Sequence, residues 1–142
     1  MIIFEKLFIE AIDNDLVSKG PILSVIEELD IEGIGKVKAK VDTGNEAYNV
    51  LHGTDITYAD NSATFKTVNN VTVTKPVLKK IEINIGSGNI ESRPVVEMPF
   101  TMHGKKYTTP FSIADRSTNE EPVLLGEIFL SKIGATVDVN LN

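Results

Sequence analysis

Lys36-Val37-Lys38-Ala39-Lys40-Val41 alternates charged and small apolar side chains without a break, and the alternation ends at Asp42-Thr43-Gly44. A period of two sends the three lysines to one face of a strand and Val37, Ala39 and Val41 to the other. The lysines therefore read as the solvated face of a half-buried strand rather than as a phosphate-binding patch. Ser24 to Ile31 reads as its hairpin partner across a turn at Gly33-Ile34-Gly35. At the other end, Asp42 opens a turn and Gly44 supplies a permissive backbone, which taken alone is an ordinary β-turn. A second block gives the tripeptide company some eighty residues later: Pro122-Val123-Leu124-Leu125-Gly126, followed by Ile128-Phe129-Leu130 and Ile133-Gly134.

Most of what lies between and beyond these blocks also reads as strand. Ala63 to Val68 and Val71 to Thr74 are joined at Asn69-Asn70, a pair that tolerates the left-handed conformations of tight hairpins. Ile81, Ile83 and Ile85 alternate with Glu82 and Asn84, and Gly86-Ser87-Gly88-Asn89 turns the chain towards Ile90 to Val96. Further strands are predicted over Val95 to Met102, Lys106 to Ile113 and Ala135 to Val139, and one helix over Gly126 to Lys132. The expected class is all-β, mainly antiparallel, with one short C-terminal helix. The first stretch, with Ile2, Ile3, Phe4, Leu7, Phe8, Ile9 and Ile12 among charges, suits a short helix or an edge strand about equally, and residues 1 to 23 read as an extension of uncertain role.

A chain of 142 residues with 42% hydrophobic and 24% charged side chains has the size and composition of one globular domain. No run approaches the roughly 18 apolar residues of a membrane span, and Met1-Ile2-Ile3-Phe4-Glu5 lacks the basic region of a signal peptide, so the expected location is cytoplasmic, with no membrane partner. A net charge of −6 disfavours nucleic acid, whose binding rests on clustered Lys and Arg. The absence of cysteine excludes disulfides, thiolate catalysis and Cys-based zinc sites.

The two histidines, His52 and His103, lack the spacing of a His-Glu-x-x-His zinc pair. His103 precedes Gly104-Lys105-Lys106 and reads as a hairpin-turn residue, while His52 follows Val50-Leu51 and reads as a hydrogen-bonded structural residue. A Ser-His-Asp triad has no Gly-x-Ser-x-Gly elbow to support it. The glycine-rich tip at Gly86-Ser87-Gly88 is either a plain turn or a mobile flap over a cleft. It is not a phosphate loop, since no Gly-Lys-Ser/Thr ending and no helix pattern follow.

In order and chemistry, Ala39-Lys40-Val41-Asp42-Thr43-Gly44 and Pro122 to Gly134 resemble the paired blocks of the retropepsin-like aspartic proteases. The chain is most similar to a bacterial and phage group labelled "ATP-dependent zinc protease", through Lys38 to Gly44, Leu51-His52, Arg93-Pro94-Val95-Val96, Asp115-Arg116-Ser117, Leu124-Leu125-Gly126 and Val137-Asp138-Val139. The resemblance implies a retropepsin-like acid-protease barrel over residues 24–142. It further implies an aspartic endopeptidase acting on a polypeptide substrate, without cofactor or metal. Two adjacent carboxylates sharing a proton activate water as base and the peptide carbonyl as acid, and like charges so close favour mildly acidic operation. One Asp-Thr-Gly per chain then requires a homodimer in which Asp42 meets its mate. By the same resemblance Thr43 and Gly44 support the catalytic turn, and Leu124, Leu125 and Gly126 pack beneath it. Ile85, Gly86, Ser87 and Gly88 form a flap against which an extended substrate lies as an added strand.

Two positions depart from that pattern. Glu127 stands where the related groups usually carry an Arg paired with an acid near the catalytic turn, and Asn45 stands where Ala or Ser is usual. Arg116 is expected to compensate by pairing with Glu127. Two other functions fit the residues: a catalytically silent peptide-binding or assembly module on the same fold, and a zinc-dependent hydrolase using His52, His103 and carboxylates.

Overall fold

The structure, a computed structural model, describes residues 20–141, so the reading of residues 1–19 lies outside it. The alternating segment forms β3 (Gly35–Val41), antiparallel to β2 (Ile26–Ile31) with Ile26 opposite Lys40 and Ile31 opposite Gly35. The pleat does what the period predicts: Val37, Ala39 and Val41 are buried and Lys36, Lys38 and Lys40 exposed. The remaining strands of the main sheet are β4 (Asn49–His52), β8 (Lys79–Gly86), β9 (Asn89–Met102), β10 (Lys105–Ala114) and β11 (Val123–Leu125). They pair in the order β10-β4-β11-β3-β2-β9-β8, and β10 also pairs with β9, so the hydrogen-bonded path returns on itself. The return between β2 and β9 rests on two residue pairs, Asp30 with Thr101 and Ile31 with Phe100.

A second, three-stranded meander of β5 (Thr54–Ala59), β6 (Ser62–Lys66) and β7 (Thr72–Pro76) is anchored by buried Ala63 and Phe65. The short β1 (Ile22–Leu23) runs parallel to β12 (Thr136–Val137), and the helix, α1 (Glu127–Lys132), buries Phe129 and Leu130. No helix among the described residues is long and apolar enough to cross a membrane.

The core is one apolar cluster drawn from almost every element of the main sheet. At its centre Phe100 of β9 packs against Tyr107, Phe111 and Phe129, with ring centroids 5.6, 5.8 and 5.5 Å away. These tilted and edge-on arrangements suit the aromatic quadrupole. Phe129 thereby ties α1 to the sheet.

Several boundaries differ from those expected. The predicted strands Ile90–Val96 and Val95–Met102 are one 14-residue strand, β9, whose first half pairs with β8 and second half with β10. The predicted strand Ala135–Val139 is pared to Thr136–Val137, because the Asp138 carboxylate accepts the Asn140 N–H at 2.9 Å and folds the backbone into a turn. The predicted strand at Ser24 begins at Ile26, because the Ser24 N–H donates to the Glu27 carboxylate at 2.8 Å instead of to a neighbouring strand. Glu27, though 8% exposed, also faces His103 Nε2 at 2.7 Å, which fastens the β9–β10 turn to β2. His103 is a turn residue with φ 51°, as its sequence setting suggests. The pair Asn69-Asn70 does adopt left-handed backbone, at φ 59° and 58°.

Candidate active site

Asp42 sits immediately beyond β3, where the ladder would otherwise stop. Its N–H donates to the Leu125 carbonyl at 2.9 Å, extending the parallel β3–β11 pairing in which Leu125 lies opposite Val41. The turn then closes on itself: Gly44 N–H donates to Asp42 Oδ1 at 2.9 Å and Asn45 N–H to the Asp42 carbonyl at 3.2 Å. This Asx turn leaves the Asp42 side chain half-buried, with one oxygen fixed by a backbone donor. Thr43 and Gly44 are exposed beside it.

The segment leaving the turn comes back as β4, which pairs antiparallel with β11 through Val123–Leu51 and Leu124–Val50. β11 is thus held between the strand that enters the aspartate turn and the strand that leaves it. Immediately after β11 the chain passes under the turn at Gly126. Gly126 N–H donates to Oδ1 of buried Asn49 at 2.8 Å, and Glu127 N–H donates to the Asn45 carbonyl, also at 2.8 Å.

Any side chain at position 126 collides with this arrangement. A Cβ there would stand 2.8 Å from Asn45 Nδ2, 2.9 Å from the Ala47 carbonyl oxygen and 3.1 Å from that of Asn45. Two of the three are backbone atoms that cannot swing away. Gly126→Ala is therefore expected to cost about 1–3 kcal/mol, read as a lower urea midpoint with an unchanged m-value. A midpoint equal to wild type would show that the turn is not packed on the glycine.

The structure thus joins Asp42, Gly44, Leu125 and Gly126 through hydrogen bonds and close packing, with Leu124 between them on β11. Ile85, Gly86, Ser87 and Gly88 form the exposed tip of the β8–β9 hairpin, with φ 100°, 53° and 75° at residues 86 to 88. Among the described residues no hydrogen bond links that tip to the Asp42 turn. A cation–π contact does link its base to the turn's outgoing limb, since Lys79 Nζ lies 5.2 Å from the Tyr48 ring centroid.

The expected Arg116–Glu127 ion pair does not form. Arg116 Nε donates to the Glu121 carbonyl at 3.0 Å and its backbone N–H to His52 Nδ1 at 2.9 Å. Burial holds the Arg116 guanidinium below its usual range; the charges of Glu121 and Asp42 oppose that effect and Arg93 adds to it. Glu127 remains exposed and makes no ion pair among the described residues. The reason is topological: Glu121 precedes β11 and Glu127 follows it, so the two acids stand at opposite ends of a strand rising about 3.3 Å per residue. Nearby, Asp115 is held below the ordinary carboxylate range by hydrogen bonds from the Ser117 hydroxyl and N–H.

The two histidines have separate partners, His52 with Arg116 and Asp115, and His103 with Glu27. Among the described residues no group of three or more His, Asp or Glu is placed to hold a metal ion.

Sequence reasoning missed Asn49. At 2% exposure its amide takes the Gly126 N–H, and the only local signal was a polar residue in phase with Leu51 on the inward side of Asn49-Val50-Leu51-His52.

No curated protein matches the sequence. Among solved structures, the fold is similar to the crystal structure of a protein of unknown function (DUF785) from Legionella pneumophila subsp. pneumophila str. Philadelphia 1. The TM-score is 0.72 at 23% identity, covering 86% of this chain and 95% of that one. The model of the RimB-like family, described as retropepsin-like aspartic endopeptidase RimB, matches residues 22–142, and the chain belongs to that family.

Proposed function

We propose that the chain is an aspartic endopeptidase whose site is assembled from two copies, each supplying Asp42. The observation that carries this reading is the Asp42 turn itself. In a chain of this family, a half-buried carboxylate has one oxygen fixed by the Gly44 N–H and a backbone pinned to Leu125. A single such group lacks the partner that acid–base hydrolysis without a covalent intermediate needs. A twofold axis through the turn supplies it.

With two carboxylates sharing one proton, the ionised one takes a proton from water as the water oxygen attacks the peptide carbonyl carbon. The protonated one delivers its proton to the carbonyl oxygen. The tetrahedral intermediate then collapses as the C–N bond breaks and a proton passes to the leaving nitrogen, giving a new carboxyl and a new amino terminus. In this reading Thr43 hydrogen-bonds across the axis, Gly44 gives the substrate backbone room, and Leu124-Leu125-Gly126 forms the floor. The hairpin tip at Ile85 to Gly88 lies over an extended substrate added as a strand.

The test is incubation of the purified protein with a mixed peptide library at mildly acidic pH, with cleavage sites read by mass spectrometry. Cleavage is expected to survive a strong chelator, and the rate per chain to rise with protein concentration as copies associate. Cleavage that a chelator abolishes and Asp42→Asn leaves intact would establish the zinc reading instead. A protein that binds peptides equally well with Asp42 or Asn at this position, and cuts none, would be a binding module.

A further inference from the structure

Asn45 joins the aspartate turn to its surroundings through both its backbone and its side chain. Its N–H donates to the Asp42 carbonyl at 3.2 Å, and its carbonyl accepts the Glu127 N–H at 2.8 Å. Its Oδ1 accepts the Ala47 N–H at 3.1 Å and its Nδ2 donates to the Tyr48 carbonyl at 3.2 Å. One half-buried residue therefore ties together the aspartate, the limb leading to β4 and the entry to α1. The same Nδ2 lies where a Cβ on Gly126 would come within 2.8 Å, so the amide is seated directly on the crossing segment.

Charge does not do this joining. Glu46 and Glu127, on either side of the junction, are both exposed, and neither makes an ion pair among the described residues. Glu127 contributes its backbone N–H, and the side chain that locks the turn is a neutral amide whose acceptor and donor ends are both used.

We propose that Asn45 is the positioning residue of this site: its amide fixes the course of residues 45–48 through the Ala47 N–H and the Tyr48 carbonyl, and so holds in place the backbone that bonds Asp42 on one side and Glu127 on the other. This rests on the aspartic-protease reading of Asp42. Removal of the amide leaves Asp42 in place but loosens the turn that aims it, and displacements of about 1 Å at a reacting group cost about 10²-fold in rate. Asn45→Ala is expected to lower kcat about 10²-fold with KM changed less than about threefold, because orientation rather than substrate contact is lost. Asn45→Ser keeps an oxygen that can accept from the Ala47 N–H and is expected to recover at least tenfold of that loss. Asn45→Asp has the shape of Asn but sets a carboxylate oxygen against the Tyr48 carbonyl, and is expected to be no better than Ala.

A second measurement is independent of turnover: amide hydrogen exchange in the Asp42→Asn background, with and without Asn45→Ala. Faster exchange confined to the Ala47 and Glu127 amides supports the clamp; unchanged exchange there, or equal acceleration throughout β2 and β3, overturns it. Wild-type kcat in Asn45→Ala, or an Asn45→Asp variant as active as wild type, overturns it as well. Hydrolysis that persists in Asp42→Asn would instead sink the protease reading, and the exchange comparison would still decide the clamp.

Discussion

Asp42→Asn is expected to lower the rate of peptide hydrolysis by about 10²–10⁴-fold, the contribution of a positioned acid–base group, while leaving the thermal midpoint nearly where it was. Three hydrogen bonds hold Asp42, and an Asn makes all of them. Its N–H still reaches Leu125, its carbonyl still accepts from Asn45, and a side-chain oxygen still accepts from Gly44. What Asn lacks is a group that can carry or release a proton. The proposed two-copy site gives the same variant a second, quantitative use. When equal amounts of wild type and Asp42→Asn are mixed and allowed to exchange partners, random pairing leaves one dimer in four with two aspartates. The mixture should therefore show about a quarter of the activity of the same total amount of wild type. A value of one half would mean that each chain carries a complete site, and the two-copy mechanism would fall.

Phe100→Ala is expected to destabilise the protein by about 3–5 kcal/mol, the usual cost of emptying a buried aromatic site. Phe100 is 1% exposed, and its ring touches three others that come from β10 and α1. It also lies opposite Ile31 in one of the two residue pairs that return the sheet on itself. Neighbours drawn from different elements cannot all move inward to fill the gap, so much of the cavity should persist. Urea unfolding monitored by circular dichroism measures the loss, and the thermal midpoint should fall by about 10 °C or more. Phe100→Leu, which keeps most of the volume, should retain a large part of the stability. A Phe100→Ala loss below about 1 kcal/mol would mean that this cluster is not the centre of the core.

The parts of this fold that can be read from sequence are those where one local rule acts alone. The lysine alternation of β3 has one solvated face, so period two was decisive, and the Ile81–Ile83–Ile85 run was legible for the same reason. β4 and β5 went unseen because neither presents a clean period. β4 puts Asn49 at an inward position for the sake of Gly126, and β5 carries an irregularity between Thr54 and Thr57 with Asp55 at φ 54°. Asp42-Thr43-Gly44 and Leu124-Leu125-Gly126 stood out as motifs, but nothing in their spacing says that β11 would thread between β3 and β4. That relation depends on partners separated by scores of residues. The Arg116–Glu127 pairing failed for want of the same knowledge, since closeness in sequence on either side of a strand becomes separation in space.

The threading of β11 has a consequence for when the site can exist. A growing chain that has reached residue 122 already contains the Asp42 turn, β3 and β4, yet the strand that belongs between them and the Leu125 carbonyl that anchors Asp42 have not been made. Contacts closed over so long a loop form late, since the entropy of closure must be met before pairing rewards it. Synthesis of the aspartate and completion of its turn are therefore separated in time, because the carbonyl that takes the Asp42 N–H belongs to a residue made more than eighty positions later.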